Sequence, residues 1–202
     1  EQLTELFGNI NRRDKTIIYG LSDSQRAYIT SLISKSTKKS QLIITPDSTS
    51  AKKLHEDLNF FLPNCNVYLY PIDEVLPYEL AAHSSDITAQ RLNVMGKLLL
   101  GENCIIIAPV QALFRKLPPP TLFEKLSFSL DFDSQFDIET YSNRLVTMGY
   151  ERADMVDGMG QFSIRGGIVD IFPLTAENPI RIELFGDEID SIRIFDVVDQ
   201  RS

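Results

Sequence analysis

The run from Gly160 to Ser202, GQFSIRGGIVDIFPLTAENPIRIELFGDEIDSIRIFDVVDQRS, constrains this chain more than any other stretch. Short β-branched and aromatic segments alternate there with polar residues and are punctuated by Gly-Gly, Pro and Gly-Asp, the pattern of two successive β-hairpins. In the second hairpin Gly186-Asp187 supplies a two-residue turn with glycine at the first central position, where a type II′ turn requires positive φ. That turn sets the register. Ile180, Ile182 and Leu184 then share an apolar, core-facing side with Ile189, because directly opposed side chains in a hairpin point the same way. The other side carries Arg181, Glu183, Phe185, Glu188 and Asp190. One large ring among charges of both signs is either ordinary solvated sheet or a polar-rimmed docking surface with an aromatic anchor.

The first half of the chain has a different rhythm. After an amphipathic opening around Leu3, Leu6, Phe7 and Ile10, buried strands are predicted at Thr16–Tyr19, Gln41–Thr45, Asn66–Tyr70 and Cys104–Ala108. Helices fall between them. The first is capped by Ser22 or Asp23 with Tyr28, Ile29, Leu32 and Ile33 inward; the second is capped by Asp47 or Ser48; the third runs from about Asp86 to Leu100 and stops at Gly101. Strands apolar on both faces and alternating with helices imply a parallel sheet covered on each side, so this half is α/β.

In nucleoside triphosphatases of this architecture the junction of first strand and first helix reads G-x-x-x-x-G-K-[ST], with backbone amides, Lys and hydroxyl holding phosphates and magnesium. Here it reads Gly20-Leu21-Ser22-Asp23-Ser24-Gln25-Arg26-Ala27. Gln25 replaces the second glycine, Arg26 the lysine and Ala27 the hydroxyl residue, and Asp23 repels a phosphate. The junction is either a degenerate phosphate loop that no longer binds ATP or an unrelated strand–helix turn. No cofactor is expected.

Pro118-Pro119-Pro120 reads as a stiff linker, and divides the chain into residues 1–117 and 118–202. Beyond it, Leu126, Phe128, Leu130 and Phe132 alternate like a strand. A helix follows from about Ile138 to Met148, capped by Asp137, with Tyr141, Leu145 and Met148 inward and Gly149 as its stop. One helical region beside antiparallel hairpins makes the smaller second domain α+β.

The net charge of −8 opposes a general affinity for DNA phosphates, which needs a basic surface, so little direct DNA binding is expected. Beyond Lys125 every cation is arginine, the residue suited to bidentate pairing with carboxylates at protein interfaces. Catalytic candidates are poor. His55 lies on a charged helix and His83 in a loop, neither beside a nucleophile, and Cys65 and Cys104 have no metal-site spacing. Asp187, Glu188 and Asp190 read as solvated carboxylates paired with Arg181 or Arg193, and Gly166-Gly167 as a bend or bulge beside Arg165. No run reaches the length of a membrane span and no signal sequence opens the chain, so a cytoplasmic protein is expected.

Five strings carry a resemblance: FSIRGGIVDIFP (162–173), RIELFGDEIDSIRIFD (181–196), DQRS (199–202), DEVLPYE (73–79) and IAPVQALFRKLPPP (107–120). They are similar to the UvrB-homology region of the bacterial transcription-repair coupling factors, the Mfd family. The C-terminal strings are shared with the excision-repair helicase UvrB. That protein resembles the chain but keeps a complete phosphate loop and an aromatic-rich DNA-gripping hairpin, where this chain has the Gly20–Ala27 junction and the short DEVLPYE loop. The alternative, a UvrB-type ATPase fragment, is therefore the second reading. The resemblance implies an N-terminal, non-enzymatic adaptor fragment that binds UvrA through its second domain. In the full protein it implies an RNA-polymerase-binding module and an ATP-dependent DNA translocase. It also implies that Arg152 in GYER and Arg165 in FSIRGG are the interface arginines. Phe185 joins them from the hairpin geometry, with Arg181 and Glu183 as neighbours on its face.

Overall fold

The computed structural model describes residues 2–12, 14–73, 82–132 and 134–201. The chain forms two compact units, Glu1–Leu76 with Gln90–Lys116, and Pro77–Ala89 with Leu117–Ser202. Most of the DEVLPYE string lies outside the described residues.

The first unit holds a parallel sheet of β1 (Gln41–Thr45), β2 (Asn66–Leu69) and β3 (Cys104–Pro109) in the order β1-β3-β2. Helix α1 (Gln2–Arg12) opens the chain, and α2 (Asp23–Thr37) and α3 (Ser48–Phe61) follow. Along central β3 the side chains alternate: Ile105 and Ile107 join a core with Ala27, Ala51 and Leu58, while Cys104, Ile106 and Ala108 join another with Val94 of α4 (Ala82–Leu99). Both faces are apolar and both are covered, which is why the strand reads as an unbroken apolar run.

Several expectations change here. Thr16–Tyr19 is not a strand, and Ile17 and Tyr19 are 73% and 83% exposed. An apolar run acquires strand character only when a ladder satisfies its backbone. The inward face of α2 is Ala27 and Ser31, four residues apart and fully buried, in place of the expected large residues; Tyr28 is half exposed. Small side chains let α2 and α3 approach closely. His83 falls in the first turns of α4 and not in a loop.

The second unit is built on a mixed sheet of β4 (Glu151–Arg152), β5 (Gln161–Arg165), β6 (Ile168–Ile171), β7 (Ile180–Phe185) and β8 (Glu188–Ile194), paired in chain order. Only β4–β5 is parallel. Its inner face, Phe162, Val169, Ile171, Ile182 and Ile189, packs with Phe136 and with Leu145 of α6 (Ile138–Thr147). Burying each such side chain stabilises the fold by about 1.5–3 kcal/mol. Asp137 caps α6 by accepting from the Thr140 amide at 3.0 Å. Leu126–Phe132 is not a strand: Pro120–Leu126 is a short helix, α5, and the Arg144 guanidinium holds the following segment by donating to the Lys125 and Ser127 carbonyls and packing on the Phe128 ring.

Gly186 has φ +66° and Asp187 is not in the positive-φ region, so the β7–β8 turn is of type II′ as expected. Gly166-Gly167 is itself the β5–β6 hairpin turn, since Arg165 pairs with Ile168. In β8, Leu184 pairs with Ile189 but Glu183 with Ser191, leaving Asp190 as the extra residue of a β-bulge. The sequence explains it. Ile189 and Ile192 are three apart and out of phase for a period of two, and one extra residue returns Ile192 to the core side.

Candidate interaction surface

The Gly20–Ala27 junction is closed by its own side chains. The Gln25 side-chain oxygen accepts from the Ser22 amide at 3.0 Å at the start of α2. Lys53 of α3 reaches Asp23 at 2.7 Å, an ion pair that holds the Asp23 carboxyl below its ordinary range. Ala27 points into the α2–α3 core and is fully buried, and among the described residues no strand of the kind a phosphate loop requires precedes the junction. A cavity of about 230 Å³ lies beside this pair, walled by Asp23, Arg26, Thr45, Ser50, Lys53 and Asp57. Its walls carry both signs of charge, which is not the uniformly cationic cradle of a polyphosphate.

The outer face of the second sheet is ordered in rows. Ser163, Asp170, Arg181 and Arg193 stand side by side across β5 to β8, and Arg165, Ile168, Glu183 and Ser191 form the next row. Phe185 follows beyond Glu183, opposite Glu188, and is 83% exposed. The register thus brings Arg165, Arg181, Glu183 and Phe185 onto one face, with Arg165 and Phe185 about 10 Å apart across the strands and about 7 Å along them.

These side chains are not equivalent. Asp170 is fully buried and accepts from Arg181 Nε at 2.7 Å, Arg181 Nη2 at 2.9 Å and Arg165 Nη2 at 2.7 Å. Arg181 also donates Nη1 to the Gln200 carbonyl at 3.0 Å and lies 4.5 Å from the centre of the Phe195 ring. Its pKa is raised, chiefly by the hydrogen bonds to Asp170. Phe195 belongs to a small apolar cluster with Val156 and Phe172. Arg181 is therefore enclosed, with 13% of its side chain accessible, against 47% for Arg165. Glu183 accepts from Ser191 at 2.8 Å and from Arg193 at 3.0 Å.

Arg152 is not part of this arrangement. It is the register partner of Phe162, so its side chain leaves edge strand β4 on the inner face of the sheet, opposite to Arg165. The expected pairing of Asp187, Glu188 and Asp190 with Arg181 or Arg193 also gives way: Arg181 is bound to Asp170 and Arg193 to Glu183. Among the described residues no cluster of His, Cys, Asp or Glu is arranged for a metal, and no helix is long and apolar enough to cross a membrane.

Sequence reasoning missed Asp170, the centre of the face. Its signal was present: a carboxylate inside the apolar run Gly-Ile-Val-Asp-Ile-Phe has to find a cation when the strand is buried.

Comparison with known proteins places the fold in context. Residues 128–202 match the UvrB interaction domain family. A transcription-repair-coupling factor of Bacillus subtilis is 44% identical over 186 residues, covering 92% of this chain and 16% of the relative. The transcription-repair-coupling factor of Staphylococcus aureus strain USA300 is 38% identical over 204 residues, covering all of this chain and 17% of the relative. The chain thus spans about a sixth of the length of the curated relatives it matches.

Proposed function

We propose that this chain, which belongs to the transcription-repair coupling factors as one section of their length, is a non-enzymatic adaptor that binds UvrA. The UvrB interaction domain match over residues 128–202 supports this reading, because it coincides with the unit that carries the ordered face. The observation that carries it is Phe185. An exposed ring on the same sheet face as a half-exposed arginine has the composition of an interface hot spot. Arg165 and Phe185 are its contacts, Arg181 and Glu183 its support, and Arg152 a separate edge contact.

In this reading the protein works in the cytoplasm, delivering excision repair to stalled transcription. RNA polymerase and DNA are bound, and ATP is hydrolysed to drive translocation, by parts of the coupling factor outside this section. Titration of the chain with UvrA is the test. Arg165→Ala and Phe185→Ala should each weaken binding by about 2 kcal/mol or more. Parent-like affinity in both variants sinks the site, and absence of binding by the parent chain sinks the function.

A further inference from the structure

One carboxylate serves two guanidinium groups on the outer face, and it serves them unequally. Arg181 spends Nε and Nη2 on Asp170 and Nη1 on the Gln200 carbonyl. Arg165 spends only Nη2 on Asp170, at 2.7 Å. Among the described residues its Nε and Nη1 have no partner, and nearly half of its side chain meets solvent. The charges add up the same way. Asp170 cancels one of the two cations, and Arg181, enclosed by Phe195 and Gln200, is the one held away from solvent. The surplus positive charge therefore resides on Arg165.

An unrestrained arginine at the end of β5, next to a glycine turn, samples many rotamers and loses that freedom on binding. Here one terminal nitrogen is tied to a fully buried carboxylate, itself clamped from the other side by Arg181. The guanidinium is restrained by this hydrogen bond before a partner arrives. Asp170 takes only one of the two Nη2 hydrogens, so one of the two donor edges, Nε–Nη2 or Nη1–Nη2, keeps both of its N–H groups and can pair bidentately with a carboxylate.

Resting on the UvrA-binding reading above, we propose that Asp170 is a positioning residue that holds Arg165 as a preformed clamp for a carboxylate side chain of UvrA. Arg181 acts on Arg165 through Asp170, which it also binds.

A double-mutant cycle on the 202-residue chain, titrated with UvrA, tests this. Arg165→Ala should weaken binding by about thirtyfold, the scale of a hot-spot truncation. Asp170→Asn, which keeps the shape but puts an amide against a guanidinium, should weaken it by about tenfold. The combination should be no weaker than Arg165→Ala alone, because Asp170 has nothing left to position. Losses that multiply, or parent-like binding by Asp170→Asn, overturn the proposal while leaving UvrA binding intact. No binding by the parent chain overturns the functional reading itself.

A second measurement needs no variant. Relaxation of the arginine Nε–H groups in the free chain should show Arg165 ordered like Arg181 and unlike exposed Arg152. An Arg165 as mobile as Arg152 overturns the clamp.

Discussion

Arg181 and Arg193 are register partners on β7 and β8, two cationic side chains directly opposite each other in an antiparallel ladder. Directly opposed like charges destabilise a sheet. The structure relieves this by binding each arginine to a carboxylate, Arg181 to Asp170 on β6 and Arg193 to Glu183, two residues along β7 from Arg181.

The two carboxylates should differ sharply in what their loss costs. Asp170→Ala strands a guanidinium in an enclosed site and should destabilise the chain by about 3–5 kcal/mol. Glu183→Ala removes a partner from the half-exposed Arg193 and should cost about 1 kcal/mol or less. Urea unfolding of both variants measures the contrast, and equal midpoint shifts would contradict the difference in burial.

The two hairpin turns respond to different constraints. At Gly186 the constraint is the backbone, since φ is +66° and nothing lies within 4 Å of an added Cβ; Gly186→Ala should cost about 1 kcal/mol and Gly186→Asn less. At Gly167 the constraint is space, because a Cβ would lie 3.1 Å from the Leu184 carbonyl oxygen, while the Gly167 carbonyl accepts from the Leu184 amide at 2.8 Å. Gly167→Ala and Gly167→Asn should therefore be alike in cost. Hydrogen exchange at the Leu184 amide should accelerate in both, and an unchanged rate would contradict the close approach.

Asp137 gives part of the stability a pH dependence. The Thr140 hydroxyl and amide both donate to its carboxylate, holding its pKa below the ordinary Asp value. A depressed folded-state pKa contributes stability that is complete above the unfolded value of about 3.9 and is lost as pH falls through the lower folded one. Asp137→Ala should lower the thermal midpoint at pH 7 and lose that deficit progressively below about pH 4. A deficit independent of pH would contradict the charged cap.

The Gly20–Ala27 junction should not bind nucleotide. Millimolar ATP with magnesium should leave the thermal midpoint unchanged, and a saturable upward shift would restore the ATPase alternative. A hydroxyl at position 27 should not create a site: Ala27→Thr forces a branched side chain into the fully buried α2–α3 contact and should cost about 1–3 kcal/mol.

What the sequence made legible was local. Ser22, Asp47 and Asp137 stand at helix starts, and Gly186-Asp187 sets its turn, because caps and turns are decided within a few residues. The side of the sheet that carries Phe185 followed from that turn alone. What required a partner elsewhere in the chain was not legible. Thr16–Tyr19 has strand composition but no ladder, and Leu126–Phe132 is divided between a short helix and a segment pinned by Arg144. The Asp170 cluster joins residues on three strands, and only the register brings them together. Arg152 and Arg165 carry the same charge in the same domain, yet the parity of their register partners sends them to opposite faces.

The bulge at Asp190 has a consequence for how this sheet can meet another molecule. β8 is, with β4, one of the two edge strands of the sheet, and its start is already engaged, with the Phe136 amide bound to the carbonyl of turn residue Asp187 and the Ile189 amide to the Ser134 carbonyl. The bulge then breaks the spacing of the donors and acceptors that remain, which makes this edge a poor template for an added strand. Main-chain recognition is indifferent to side chains, and recognition across the face is not. A protein that meets its partner in this way keeps its selectivity in a handful of side chains, where single substitutions can retune it.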